Sequence, residues 1–267
     1  MEQKIKRKRT TEMTNDGEKM KKALCAVISL LSVLTILVFW YMISWKNPEL
    51  MPTPVETLKQ MFEMIVNPTG VSLFEHVAAS FTRVFIAYFS ATLAGVLIGV
   101  AFGWSENFRD FVHPIFELLR PIPPIAWIPI IVIWFGIGEV SKIAIVFIGA
   151  FVPIVVNTYS GMMQMDPIYE KAGKVIGANR KEMLLEIVIP ASFPHILAGM
   201  KTALSQSWAC VIAAEMIVAQ KGLGYLIVRS MESGNMGNIL ISIFFISGIS
   251  ALLSYLFNKL EAIICPW

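Results

Sequence analysis

Residues Gln164 to Pro190 read QMDPIYEKAGKVIGANRKEMLLEIVIP, a mixed polar stretch set between two long apolar runs. Asp166-Pro167 is a helix start, Gly177-Ala178-Asn179 is a punctuation, and Met183, Leu184, Ile187 and Val188 then recur at helical spacing before Pro190. The pattern predicts two short helices joined by a turn, the second ended by Pro190, lying at a membrane surface. A connection this long inside a compact bundle is usually functional. Ala172, Gly173 and Gly177 are small enough to admit another surface. Lys171, Lys174, Arg180 and Lys181 carry charge, and Leu184, Ile187 and Ile189 can anchor the second helix. On these residues alone, a partner-docking segment and an unpartnered amphipathic surface helix fit equally well.

The flanking runs place this stretch. The chain has 267 residues, 56% hydrophobic and 15% charged, with a mean hydropathy of +0.66; a soluble domain carries about 45–50% apolar and about 25% charged residues. A helical crossing needs about 20 apolar residues. Six runs qualify as candidates: Ala23–Trp45, Val77–Trp104, Ile122–Ile137, Lys142–Met163, Phe193–Ala219 and Asn238–Leu260. They are continuous, unlike the roughly 10-residue alternating strands of a barrel. The third is short and holds Pro121, Pro123, Pro124 and Pro129, which predicts a broken or kinked helix inside the bundle. The first is longer than the 7–15 apolar residues of a cleavable signal, so it reads as a retained helix.

Lys and Arg set the orientation. With the amino terminus inside, the cytoplasmic side holds 16 of the 22 basic residues: the leader around Lys4–Arg9 and Lys19–Lys22, then Arg109, Arg120, Lys171, Lys174, Arg180, Lys181, Lys201 and Lys259. Lys46, Lys59, Arg83, Lys142, Lys221 and Arg229 fall on the other side. The expected organisation is a basic cytoplasmic leader (1–22), a transmembrane domain (23–260) with the polar helices at about 166–190, and a cytoplasmic tail (261–267). A basic cluster beside an apolar helix is a topology determinant, so no nucleic-acid partner is expected.

Within the runs, ionisable and polar residues mark candidate pathway positions. Glu215 sits in the outer half of the fifth run, where an acid faces the bundle interior or a water-filled path; Arg83 and Arg229 are its candidate partners. Arg83 either attracts an anion or snorkels outward. Asn157, Thr158 and Ser160, with Ser205, Gln206, Ser207 and Trp208, either line a path or join helices. Trp127 among its prolines marks a gate or a static kink. Gly95, Gly99 and Gly103 form a close-packing face. Outside the runs, Val55 to Val66 predicts a capping helix, and Gln220 to Gly237 is a glycine-rich loop folding partly back. His76, His113 and His195 are isolated, and Cys25, Cys210 and Cys265 lack metal spacing, so neither a metal site nor a catalytic group is expected.

Gly177, nine residues and then Ile187-Val188-Ile189-Pro190 resembles the cytoplasmic signature of permeases of ATP-binding-cassette importers: E-A-A, three residues, G, nine residues, I-x-L-P. Lys171-Ala172-Gly173 stands at the E-A-A triplet, with Glu170 one place early. Arg120 to Pro129, Trp134 to Glu139, Asn157 to Gly161, Ala214-Glu215-Met216 and Gly222 to Tyr225 look like the nitrate/sulfonate/taurine/bicarbonate branch. The resemblance implies an all-α, six-helix type I importer permease with cytoplasmic coupling helices, in which Lys171, Ala172, Gly173, Gly177, Ile187, Ile189 and Pro190 meet the ATPase. It also implies two ATP-binding subunits that hold ATP and Mg, an external solute-binding protein, a second copy of the chain, and a bacterial or archaeal cell membrane. No Gly-x-x-x-x-Gly-Lys-Ser/Thr phosphate cradle occurs in the chain, in keeping with a transport subunit powered by others.

The expected function is therefore the translocation pathway for a small oxyanion such as a sulfonate, taurine, nitrate or bicarbonate, by alternating access. Arg83, Trp127, Asn157, Gln206, Trp208 and Glu215 are the candidate pathway or gate residues. Two alternatives stand beside it: the same type of permease carrying a heterocyclic vitamin or precursor, and an ion-gradient-driven transporter. Against the latter, no repeated half is seen and Glu215 is the one clear mid-span acid.

Overall fold

The computed structural model describes residues 24–25, 27–66 and 71–265. The basic leader, the start of the first run at Ala23 and the last two residues of the tail lie outside the described residues. The described chain is helical: α1 Val27–Lys46, α2 Pro54–Val66, α3 Leu73–Trp104, α4 Glu106–Leu119, a 3-10 turn Pro124–Trp127 leading into α5 Ile128–Phe135, α6 Glu139–Met163, α7 Pro167–Val175, α8 Arg180–Val218, α9 Leu223–Glu232 and α10 Met236–Ile264. Among the described residues, α1, α3, α6, α8 and α10 are long and apolar enough to cross a membrane. The α4 and Pro124–Phe135 pair, bent by 90°, is a sixth span if counted as one.

The chain divides into two units, residues 1–60 and 61–267. In the first, α1 leaves most of its apolar side chains exposed, as a lipid-facing helix does. From its last two turns, Trp40 Nε1 and Ser44 Oγ both donate to the Pro52 carbonyl at 3.0 Å. A reciprocal capping box then starts α2: the Thr53 N–H donates to Glu56 at 2.8 Å and the Glu56 N–H to the Thr53 hydroxyl at 3.2 Å. These Thr53 hydrogen bonds, the backbone one foremost, hold the Glu56 carboxyl below its ordinary range.

The second unit is built on α3, α6 and α8. The Gly95, Gly99 and Gly103 face packs α3 directly on α6: an added Cβ would lie 2.9, 2.6 and 2.6 Å from Ile154, Thr158 and Met162. Farther along, Val84, Ala87, Ile128, Ile131, Ile145, Trp208, Cys210 and Val211 form one buried cluster. Lipid is as apolar as these side chains, so close packing rather than exclusion of water holds the helices together here.

Three sequence expectations are corrected. The Ile122–Ile137 run does not make a span alone; its helical part is Pro124–Phe135, joined to α4 across the bend at Pro121 and Pro123. Proline removes a donor and pushes its predecessor out of the helical region, so the chain turns there. Residues Glu106–Leu119, in sequence a connection between two apolar runs, form a helix capped by Ser105, whose hydroxyl accepts from the Phe108 N–H at 3.3 Å, so Arg109 and Arg120 sit on α4 and its cap. Pro190 does not end the second polar helix. A capping box of Asn179 and Glu182 starts α8 at Arg180, and Met183–Val188 is a π turn in which the Ile189 N–H reaches Leu184 O. The widened turn absorbs the donor that Pro190 lacks, and the helix continues to Val218.

Candidate functional site

At one end of the second unit, Arg83 on α3 is 4% exposed, so it does not snorkel. Its Nε and Nη2 donate to the two carboxylate oxygens of Glu139 at 2.6 and 2.8 Å, and its Nη1 donates to Glu215 Oε1 at 2.6 Å and to the Lys221 carbonyl at 2.7 Å. Lys142, one turn along α6, places Nζ 2.7 Å from Glu139 Oε1. The guanidinium fork meets a bidentate carboxylate, the strong form of this pair. Arg229, the other candidate partner of Glu215, instead pairs with Glu232 at 3.3 Å.

The second oxygen of Glu215 is also occupied. It accepts from Ser80 Oγ at 2.8 Å and from the Gly224 N–H at 2.9 Å, while the Leu223 N–H donates to Ser80 Oγ at 2.9 Å. The Gly222 N–H lies 3.1 Å from His76 Nδ1. Gly222, at φ +133°, turns the chain where a Cβ would overlap the Glu215 carboxylate. The glycine-rich loop thus folds back onto a buried acid, and α3, α6 and α8 converge on one guanidinium. A crevice of about 730 Å³ opens beside it, lined by Thr82, Arg83, Glu139, Lys142, Gln220 and Lys221 among others.

The other candidate pathway residues do not join this cluster. Trp127 is half-buried against the core that contains Trp208. Trp208 is 2% exposed, and its indole N–H has no hydrogen-bond partner. Asn157 donates from Nδ2 to the Pro153 carbonyl at 2.8 Å, one turn back on α6, and packs its Cβ against Gly199. Gln206 is exposed. Sequence reasoning passed over Glu139, Lys142, Ser80 and His76 as members of the cluster. An acid and a lysine one turn apart at the edge of an apolar run are the signal that was available for the first two.

At the opposite end of α3, α6 and α8, α7 starts on Asp166, whose carboxylate accepts from the Ile168 N–H at 2.9 Å. Gly177, at φ +78°, reverses the chain into α8. Gly173 is buried against α8: a Cβ there would lie 2.7 Å from both Met183 and Ile187. The candidate coupling residues therefore divide. Lys171, Ala172, Gly177 and Pro190 are exposed, whereas Gly173, Ile187 and Ile189 pack inward wholly or in part. Beside them Val175 and Ile176 are 87% and 78% exposed, and Arg180 lies over the Trp104 ring at 5.7 Å. Among the described residues, no cluster of His, Cys, Asp or Glu could hold a metal ion.

The family model "Binding-protein-dependent transport system inner membrane component" matches residues 91–266. The taurine transport system permease protein TauC of Escherichia coli (strain K12) is 33% identical over 90% of this chain and 89% of its own length. The nitrate import permease protein NrtB of Synechocystis sp. is 31% identical over 88% of each, and the bicarbonate transport system permease protein CmpB of Synechococcus elongatus is 28% identical over 85% of each. Among solved structures, the inward-facing MetNI methionine ABC transporter matches with a TM-score of 0.65 at 17% identity, over 72% of this chain and 95% of that one. An amino acid ABC transporter matches with a TM-score of 0.59 at 14% identity, over 80% and 98%. These likenesses speak for the fold alone.

Proposed function

Because this chain belongs to the family of binding-protein-dependent transport system inner membrane components, we propose that it is the permease through which an ATP-driven importer passes a small oxyanion. The observation that carries the substrate class is the near full-length similarity to permeases named for taurine, nitrate and bicarbonate. Two copies of the chain form the pore. Two ATPase subunits, which bind ATP and Mg, drive it, and an external binding protein delivers the solute. The chain itself carries no catalytic group.

Both termini and the 166–190 region face the cytoplasm, with the leader at 1–22, the permease domain at 23–260 and the tail at 261–267. The exposed Lys171, Ala172 and Gly177 meet the ATPase, while Gly173, Ile187, Ile189 and the Pro190 turn fasten that contact to α8. In support, α8 is one unbroken helix from this region to Glu215. At a rise of about 1.5 Å per residue, Ile187 to Glu215 spans roughly 40 Å. A displacement at the ATPase contact thus reaches the Arg83 cluster through one continuous helix, and that cluster acts as the outer gate. Trp127, Asn157, Gln206 and Trp208 lie between the two ends as pathway candidates.

The test is uptake into proteoliposomes holding the permease, its ATPase and its binding protein. Accumulation of taurine, nitrate or bicarbonate that tracks ATP hydrolysis and ignores an imposed ion gradient is the expected result. Gradient-driven uptake without ATP would overturn the mechanism. ATP-driven uptake of a heterocyclic vitamin with none of the anions would overturn the substrate class.

A further inference from the structure

We infer that Arg83 and Lys142 form an oxyanion subsite in the outer mouth of the pathway, and that the Glu139 carboxylate occupies it as a tethered stand-in which the incoming substrate displaces. The inference rests on the oxyanion reading above and adds the site and its mode of occupancy.

The two carboxylates on Arg83 are not equivalent. The Glu215 side chain has no exposure, and Ser80 and the Gly224 N–H hold its other oxygen. Its role is fixed. The Glu139 side chain is 60% exposed, against 5% for both Arg83 and Lys142. Glu139 is thus the solvent-side member of the cluster, reaching two buried cations from the crevice. It is also the first residue of α6, and Gly136, at φ +73°, and Gly138 precede it with no atom within 4 Å of where their Cβ would stand. The approach to Glu139 is uncrowded.

Removal of that carboxylate leaves the Arg83 Nε and Nη2 donors and the Lys142 ammonium converging on one vacated position at the wall of a 730 Å³ crevice. A guanidinium edge recognises two oxygens of a carboxylate, sulfonate, nitrate or bicarbonate alike. An anion in that position restores the charge balance that Glu139 now supplies, while the freed carboxylate moves further into water. A neutral solute does neither. A tethered carboxylate competes at an effective concentration on the order of millimolar or more, so free anion binds the resting permease poorly, and delivery at high local concentration by a binding protein overcomes the tether.

The experiment uses the purified permease–ATPase complex and methanesulfonate as the probe, with dimethyl sulfone as its neutral isostere. In Glu139→Ala Arg83 keeps only Glu215 and Lys142 loses its carboxylate, so methanesulfonate should raise the Tm, and its apparent Kd should fall at least tenfold below that of the unaltered complex. Dimethyl sulfone should do nothing, and adding Lys142→Met should abolish most of the gain. If Glu139→Ala does not purify, Glu139→Gln carries the same measurement. An equal response of variant and unaltered complex, or a gain indifferent to Lys142→Met, overturns the subsite. Failure of the unaltered complex to accumulate any of the three oxyanions with ATP and its binding protein overturns the oxyanion reading instead, whatever the variant does.

Discussion

Arg83 and Glu215, 132 positions apart in sequence, meet at 2.6 Å with the Glu215 side chain fully enclosed. Such a pair adds little net stability over an apolar replacement, but removing one member strands the other, at about 3–5 kcal/mol. Glu215→Ala should therefore lower stability by about that amount, since Ser80 and the Gly224 N–H lose their acceptor as well. Glu215→Gln keeps an acceptor oxygen and should purify in better yield with a smaller loss. Melting of the two variants in detergent checks this, and an Ala variant as stable as the parent would refute it.

Gly222 and Gly234 separate two costs of replacing glycine. Both have positive φ, +133° and +70°, but a Cβ at Gly222 overlaps the Glu215 carboxylate whereas Gly234 has nothing within 4 Å. Gly234→Ala should cost only the backbone strain, about 1–2 kcal/mol. Gly222, with ψ 166°, lies in a region essentially confined to glycine, which costs another residue about 1–3 kcal/mol; Gly222→Ala adds overpacking of about 1–3 kcal/mol and disturbs the acid that holds Arg83. Gly222→Ala should thus lose both stability and uptake, and Gly234→Ala stability alone. Parallel melting and uptake assays distinguish them.

Continuous apolar runs made α3, α6 and α10 legible from sequence, because lipid imposes one requirement along the whole helix. The interrupted elements were less so. α4 mixes charges with a proline at position 114 and reads as a loop until Ser105 is seen to cap it. The start of α8 was hidden because Pro190 normally stops a helix, and a π turn that accommodates it leaves no mark in composition. Arg83 and Glu215 could be anticipated as partners since each needs one in an apolar setting. Glu139 carried a weaker signal, the lysine one turn along, because an acid beside Gly138 at a run's edge is equally at home in water.

Gly177 faces open space, so a large side chain there meets no neighbour within the chain. Its φ of +78° imposes a backbone cost of about 1–2 kcal/mol on any replacement. Gly177→Ala and Gly177→Trp should suffer that cost alike, and both should still assemble in the membrane. Only Trp should obstruct a surface approaching Lys171, Ala172 and Gly177. The expected outcome is ATP-driven uptake abolished in Gly177→Trp and largely kept in Gly177→Ala. Normal transport by the Trp variant would remove the 166–190 region from the ATPase contact.

The α3–α6 contact is close enough to test by reciprocal exchange. A Cβ at Gly99 would stand 2.6 Å from the Thr158 Cβ and 3.0 Å from the Val155 carbonyl. Thr158 is fully buried, and its hydroxyl has no hydrogen-bond partner. Gly99→Ala should therefore force the helices apart at a cost of about 1–3 kcal/mol. Thr158→Gly alone should lose roughly 0.3 kcal/mol in helix propensity, since Thr already lies well below Ala, and further stability through the void it leaves. Together the substitutions move the side chain from one helix to the other. The clash with the Thr158 Cβ disappears and the void is partly refilled, so the double variant should be more stable than the sum of the single losses, by about 0.5–3 kcal/mol. Strict additivity in a melting-based double-mutant cycle would mean that the helices do not pack at this register.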